Sequence, residues 1–64
     1  MQSADAVSPR LVSTLQAARY LSVDRSTVHR LRVSGALPYI AQWKHVRYDV
    51  RDLDQWIERS KVTA

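Results

Sequence analysis

The sequence contains no cysteine, no phenylalanine and only one glycine in its 64 residues. The absence of thiols excludes a disulfide framework and the thiolate metal sites of zinc fingers, and it favours a reducing, intracellular compartment. No apolar run approaches the roughly 18 residues that a membrane-spanning helix needs. We therefore expect a soluble, cytoplasmic protein with no membrane partner.

The length leaves room for one domain with a small interior. A chain of this size buries only about 60% of its unfolded surface, so we expect no enclosed catalytic cleft, no cofactor and no small-molecule ligand. The small and polar residues 1–10 predict a flexible N-terminal tail, and residues 60–64 predict a C-terminal tail. The folded domain is predicted to span residues 11–59.

Positive charge is concentrated in the middle of the chain. Ten Lys and Arg stand against six Asp and Glu, which gives a formal net charge of +4. Residues 25–48 contain no acidic residue, whereas the charges of residues 49–64 are nearly balanced. A one-sided basic surface favours an anionic partner, nucleic acid before membrane, although an ordinary solvated surface can have the same composition.

Three helices are predicted from apolar spacing and from capping residues. The first is capped by Ser13 or Thr14, and the second by Asp24, whose carboxylate can accept amides of the first helical turn. Gly35 stands where a left-handed residue would end the second helix. Asp49 caps the third helix. The predicted core consists of Leu11, Leu15, Leu21, Val28, Leu31, Leu37, Tyr48, Leu53, Trp56 and Ile57.

A short hairpin is predicted between the second and third helices. Residues 39–42 and 46–48 are rich in aromatic or branched side chains. The connecting residues 43–45 lack the glycine that is typical of a hairpin turn. The fold class is thus mainly α, with about three helices and a small two-stranded β-hairpin.

The apolar spacing of residues 14–31 is typical of a helix-turn-helix. In this motif two short helices cross over small residues, and apolar side chains from the turn and the second helix fill the space beneath. Ser22 occupies the turn position where glycine is usual, at some conformational cost. The residues that fit the pattern are Ala17, Ala18, Leu21, Val23, Val28 and Leu31. With the hairpin as a two-stranded wing, the predicted fold class is a winged helix-turn-helix.

A resemblance to a known family rests on residues 13–31, Ser34-Gly35-Ala36-Leu37-Pro38, Arg47-Tyr48 and Asp52-Leu53-Asp54-Gln55-Trp56-Ile57. In these residues the sequence resembles the excisionase DNA-binding family with its MerR-like winged helix. The resemblance covers roughly residues 11–59. It implies a small phage or prophage recombination directionality factor, which binds double-stranded DNA beside attachment sites, bends it and steers a tyrosine integrase toward excision without cutting DNA. It also implies cooperative self-association on DNA, at the nucleoid of a bacterial host cell.

Two other functions stay open. A small transcription regulator of the MerR-like type has the same fold, although a full regulator of that type adds a long dimerisation helix and an effector domain. A protein interaction adaptor is the second alternative, and it would bind integrase or another regulator through Trp43 and the last helix. Its basic charge would then serve only solubility.

The second helix carries the predicted base-reading residues. If Val28 and Leu31 face the core, the opposite side of this helix faces outward and is available to the major groove. Arg25 and Arg30 are suited to bidentate contacts with guanine. A solvated polar face is the structural alternative. The recognition-helix candidates are Arg25, Ser26, Thr27, His29, Arg30 and Arg32.

The wing supplies a second set of candidates, Trp43, Lys44, His45 and Arg47. Lys44 and Arg47 flank the turn, where a wing can place them against phosphate or in the minor groove. Trp43 can pack on the hairpin base, contact a neighbouring protomer or rest on a sugar, and packing or self-association is favoured. Candidates for contacts with the DNA backbone are Ser13, Thr14 and Arg19.

Two clusters contain residue types used in catalysis, but neither favours an active site. The carboxylates that follow His45 are expected from helix capping and dipole complementarity alone. Ser26 and His29 lie one turn apart, yet nothing in the sequence suggests an oxyanion pocket beside them. The three tyrosines are assigned to packing with the hydroxyl outward rather than to base stacking. We therefore predict no metal and no catalytic residue.

Overall fold

A computed structural model describes residues 9–63. The elements follow in the order β1 (Leu11–Val12), α1 (Thr14–Leu21), α2 (Arg25–Val33), β2 (Ile40–Gln42), β3 (His45–Asp49) and α3 (Val50–Ser60). Three helices and a small antiparallel sheet confirm the predicted fold class, a mainly helical winged helix-turn-helix. Residues 1–8 of the predicted tail lie outside the described part. No helix within residues 9–63 is long and apolar enough to cross a membrane.

The sheet contains three strands, one more than the sequence predicted. Their order is β1-β3-β2, and the central strand β3 pairs antiparallel with both neighbours. In the extra pairing, Leu11 lies opposite Asp49 and Val12 opposite Tyr48. A strand of two residues is too short to show a period of two, so the hydrophobic pattern could not reveal it.

The hairpin boundaries also differ from the predicted ones. Tyr39 precedes β2, and His45 belongs to β3 instead of the turn. The pairing of Gln42 with His45 closes the hairpin around a two-residue turn, Trp43-Lys44. The predicted three-residue connection was therefore one residue too long.

The N-termini of the first two helices are capped differently. Ser13 is the N-cap of α1 and forms a reciprocal capping box: Gln16 N–H donates to its Oγ at 3.2 Å, and its own N–H donates to Gln16 Oε1 at 2.9 Å. Asp24 is the N-cap of α2, as predicted, but its carboxylate makes no cap hydrogen bond. Its Oδ2 accepts instead from the Ser26 hydroxyl at 3.1 Å.

Both helices of the motif end on a left-handed residue, Ser22 (φ 59°) after α1 and Gly35 (φ 85°) after α2. After each helix, the amides of the left-handed residue and of the residue that follows it donate to carbonyls of the last turn, with N···O distances of 2.9 to 3.2 Å. This is the hydrogen-bond pattern of a Schellman motif. Gly35 stops α2 as predicted, whereas Ser22 adopts a conformation that costs an L-residue roughly 1 to 2 kcal/mol.

The core lies where α1, α2, α3 and β3 meet. Leu15, a predicted core residue, is 43% exposed. The buried side of α1 is centred on Ala17 and Ala18, and at 100° per residue Leu15 falls outside that face. The buried cluster consists of Ala17, Ala18, Val28, Leu37, Tyr48 and Leu53. Half-buried apolar residues around it are Val12, Leu21, Val23, Leu31, Val46 and Trp56.

Asp49 joins the start of the described chain to α3. One of its carboxylate oxygens accepts the Arg51 amide at 2.9 Å, which caps α3, and the other pairs with Arg10 Nη2 at 2.9 Å. The Arg10 carbonyl in turn accepts the Val50 amide at 2.8 Å. Arg10, assigned to a tail from the sequence, is thus held to the sheet edge. The hydrogen bond from Arg10, followed by that of the Arg51 amide, lowers the pKa of Asp49 below its ordinary value of 3.8.

We predict that Asp49→Asn lowers the free energy of unfolding at neutral pH and makes stability less sensitive to acid. Asparagine still caps a helix, so the substitution removes mainly the ion pair. Because folding lowers the pKa of Asp49, its charge stabilises the native state above pH 3.8 and this contribution disappears as the pH falls through the lower native value. Urea unfolding at several pH values measures it.

In an Arg10→Ala background, the pH-dependent change in stability caused by Asp49→Asn should shrink, since Arg10 is the largest cause of the pKa shift. A difference between wild type and Asp49→Asn that stays constant from pH 7 to pH 3 would contradict the role of this ion pair.

Candidate nucleic-acid interface

The outward face of α2 is polar and basic. Val28 is completely buried and Leu31 is half-buried, so the inner side of the helix is the one that the apolar spacing predicted. The opposite side also includes Val33, which is 69% exposed and extends this face by one turn with a methyl-bearing surface. The exposed polar residues of the helix are Arg25, Ser26, His29 and Arg30.

The two half-buried candidates of the recognition helix, Thr27 and Arg32, lie at the margins of this face. Thr27 is half-buried, and its hydroxyl accepts a hydrogen bond from Arg30 Nη2 at 3.2 Å. This bond lays the Arg30 side chain along the helix surface. Arg25 occupies the first turn and is exposed. The structure therefore brings Arg25, Ser26, His29 and Arg30 onto one surface, with Thr27 beside it.

Arg32 is held by two neighbours. It is half-buried, its Nη2 lies 2.9 Å from His29 Nδ1, and its guanidinium carbon lies 5.3 Å from the centre of the Tyr39 ring. Its Nε is buried, with no hydrogen-bond partner within residues 9–63. Since Tyr39 directly precedes β2, Arg32 links α2 to the base of the wing. Sequence spacing gave no indication of this contact, which depends on the chain turning back after Pro38.

The outer face of the hairpin is formed by two cross-strand pairs. Ile40 lies opposite Arg47 and Gln42 opposite His45, and directly opposed residues of an antiparallel pair point to the same side. His45 is exposed. Arg47 is half-buried and donates from Nη1 to the Val46 carbonyl at 3.2 Å. Of the two predicted basic wing contacts, Lys44 is thus the more accessible.

Trp43 forms the tip of the wing. It is 93% exposed, which contradicts the suggested packing on the hairpin base. Its φ is 60°, the positive value that the first central residue of a two-residue hairpin turn requires. Glycine or asparagine normally meets this requirement, and a bulky side chain meets it at a cost of roughly 1 to 2 kcal/mol.

The three candidates for DNA-backbone contacts lie at opposite ends of α1. Ser13 and Thr14 are half-buried at its N-terminus, where the hydroxyl of Ser13 already accepts the capping hydrogen bond. A hydroxyl that accepts one bond retains a proton to donate. Arg19 is exposed in the last turn. The helix thus separates one cation from two hydroxyls.

The tyrosines have three different environments. Tyr20 is about half exposed and donates its hydroxyl to Asp54 of α3, and this hydrogen bond raises the pKa of Tyr20. Tyr39 is half exposed under Arg32. Tyr48 is buried in the core, and its hydroxyl has no hydrogen-bond partner within the described part of the chain. The prediction of an outward hydroxyl was therefore wrong for Tyr48, because its side of β3 faces the buried cluster.

The acidic side chains of residues 9–63 stand at the N-cap of α2 or α3 or lie on α3. Three of the acids follow β3 on α3, which packs on α1 and β3. Within residues 9–63, no three His, Asp or Glu side chains gather in a way that could hold a metal ion. Asp49, one of the carboxylates considered for such a site, is occupied by Arg10 and the Arg51 amide.

Residues 11–61 match a protein family described as a helix-turn-helix domain. The match includes all six elements of the fold and the whole of the surface described above. No curated protein matches the sequence.

Proposed function

This chain belongs to the helix-turn-helix domain family, and on that basis we propose that it binds double-stranded DNA with α2 in the major groove. The observation that carries the proposal is the two-sided character of α2, which combines a buried apolar side with four outward polar residues, two of them arginines. The helix itself contains no acidic residue. The major groove, about 12 Å wide, admits a helix of this kind.

The base contacts are assigned to the exposed polar residues of α2. Arg25 extends from the first turn, the part of a recognition helix that usually contacts base edges. Its guanidinium can donate two hydrogen bonds to guanine O6 and N7. Ser26 and His29 lie between Arg25 and Arg30 on the same face and offer additional donors or acceptors. Val33 provides an apolar contact for a thymine methyl group.

The wing is assigned to the minor groove or the adjacent phosphates. Lys44 is exposed beside Trp43 at its tip, and His45 and Arg47 share its outer face. An indole at the end of a basic hairpin is suited to rest on a deoxyribose or to wedge at a base step, as apolar side chains of minor-groove proteins do. Ser13, Thr14 and Arg19 are assigned to phosphates beside α1.

We infer that this DNA binding serves excision of a prophage. The support is the resemblance of residues 11–59 to excisionases, which extends over the helix-turn-helix and into α3. In this role the protein bends attachment-site DNA, binds it as several adjacent copies and assists a tyrosine integrase. A bend of this kind costs the DNA about 1 to 6 kcal/mol, which adjacent copies and integrase would offset together.

Arg25→Ala should weaken binding to the preferred DNA site by about 1 to 3 kcal/mol and relax the preference at one base position. The matched control is Arg59→Ala, which removes the same charge from an exposed position on α3. Fluorescence anisotropy with the preferred site and with single-base variants measures both effects. Equal losses for the two variants, without a change in base preference, would argue against the assignment of α2.

Trp43→Gly should raise the free energy of unfolding by about 1 kcal/mol and weaken DNA binding. Glycine relieves the left-handed backbone, and an indole that is 93% exposed loses little packing, so only the DNA contact is lost. Ser22→Gly is the matched control, since it relieves the same conformation away from the wing. It should stabilise the fold and leave affinity unchanged. Trp43→Gly protein with wild-type affinity would exclude the DNA contact.

The excision role predicts that the protein protects phage attachment-site DNA in footprinting and that integrase extends the protected region. It also predicts a position-dependent gel shift, which reports a bend in the bound DNA. Protection confined to a promoter would instead indicate a transcription regulator. Binding of integrase without any salt-sensitive DNA binding would leave a protein adaptor and overturn the proposal.

A further inference from the structure

We propose that Arg32 acts as a positioning residue, which holds the imidazole of His29 in one tautomer and so makes α2 selective for a hydrogen-bond acceptor on the DNA. The functional half of this inference rests on the DNA binding proposed above. The tautomer itself is a property of the protein without DNA. The two halves can therefore be tested separately.

The tautomer follows from the chemistry of the contact between Arg32 and His29. Arg32 Nη2 lies 2.9 Å from His29 Nδ1, a hydrogen-bond distance. A guanidinium has only donors, so Nδ1 must be the acceptor. In a neutral imidazole with an accepting Nδ1, the proton resides on Nε2. His29 then carries an N–H donor on the side of the ring away from Arg32.

Arg32 is itself held in place, which makes it suitable for this role. His29 and Arg32 are three residues apart on α2 and are therefore neighbours on the helix surface. The Tyr39 ring faces the guanidinium at 5.3 Å, within the range of a cation–π interaction. With its Nε buried as well, Arg32 has lost much of the freedom of a surface arginine. Its guanidinium is therefore assigned to the contact with His29 and not to a contact with DNA.

A fixed Nε2–H donor discriminates between bases. In the major groove guanine offers two acceptors, N7 and O6, whereas cytosine offers only the N4 amino donor. A histidine free to exchange tautomers can donate to one base or accept from the other, and it distinguishes them poorly. With Nδ1 occupied by Arg32, His29 can donate to guanine, to adenine N7 or to thymine O4 but not to cytosine, so the choice it decides is that of guanine over cytosine. The contact with Tyr39 makes this selectivity depend on a residue at the base of the wing.

The first test measures the tautomer in the full chain without DNA. Long-range ¹H–¹⁵N NMR spectra at pH 8, where an ordinary histidine is neutral, distinguish a protonated from an unprotonated ring nitrogen. His29 should show a single Nε2–H form, and His45, exposed on the wing, is the internal reference. Arg32→Met keeps the apolar stem but no donor. In this variant the ring nitrogens of His29 should show chemical shifts averaged over both tautomers, like those of His45. Chemical shifts of His29 that are averaged over both tautomers already in the wild type would overturn the positioning role of Arg32.

The second test selects binding sites from random DNA. His29→Ala should lose about tenfold or more of its preference for guanine over cytosine at one position. Arg32→Met and Tyr39→Leu should lose the preference at that same position, and Tyr39→Phe, which keeps the ring, should retain it. Unchanged selection by Arg32→Met, or loss spread over all positions, would overturn the specificity role. If wild-type protein selects no DNA, the proposed function fails with it, while the NMR result still decides the tautomer.

Discussion

Strand β3 hydrogen-bonds to both of the other strands, places Tyr48 in the buried cluster and ends at the residue that caps α3. The register of β3 therefore sets the positions of both β1 and β2. Because a slip of one residue would turn every side chain of the strand to the opposite face, the buried Tyr48 fixes where Trp43 and Lys44 lie. The wing is positioned by the core and not by its own short turn.

Local signals predicted the elements that carry the interface, whereas features that depend on contacts between distant residues were missed. Gly35 and Asp49 mark helix ends through their own backbone and side-chain chemistry, and Val28 follows from helical spacing. The pairing of β1 with β3 has no such local signal. The outward face of α2 could likewise be predicted, whereas the contact of Arg32 with Tyr39 arises only when the chain folds back.

In the part of the chain that the structure describes, two residues other than glycine have a positive φ, and they illustrate different constraints. Ser22 lies in the turn between the two helices of the motif, where the Schellman hydrogen bonds offset its conformational cost. Trp43 lies at the tip of a hairpin and is almost completely exposed, so no intramolecular packing within residues 9–63 offsets its cost. The hairpin turn requires the positive φ of Trp43 but not its indole, and a side chain kept at a strained backbone position is more often associated with binding than with stability.

The pairing of β1 with β3 also bears on the order in which the protein assembles. Val12 and its partner Tyr48 lie far apart in the sequence, whereas α1 and α2 are separated only by a short turn and can pack early. Until β3 reaches β1, the first strand lacks its partner and Arg10 lacks the Asp49 carboxylate. The folding chain can thus form its two-helix motif before the sheet that orients the wing exists.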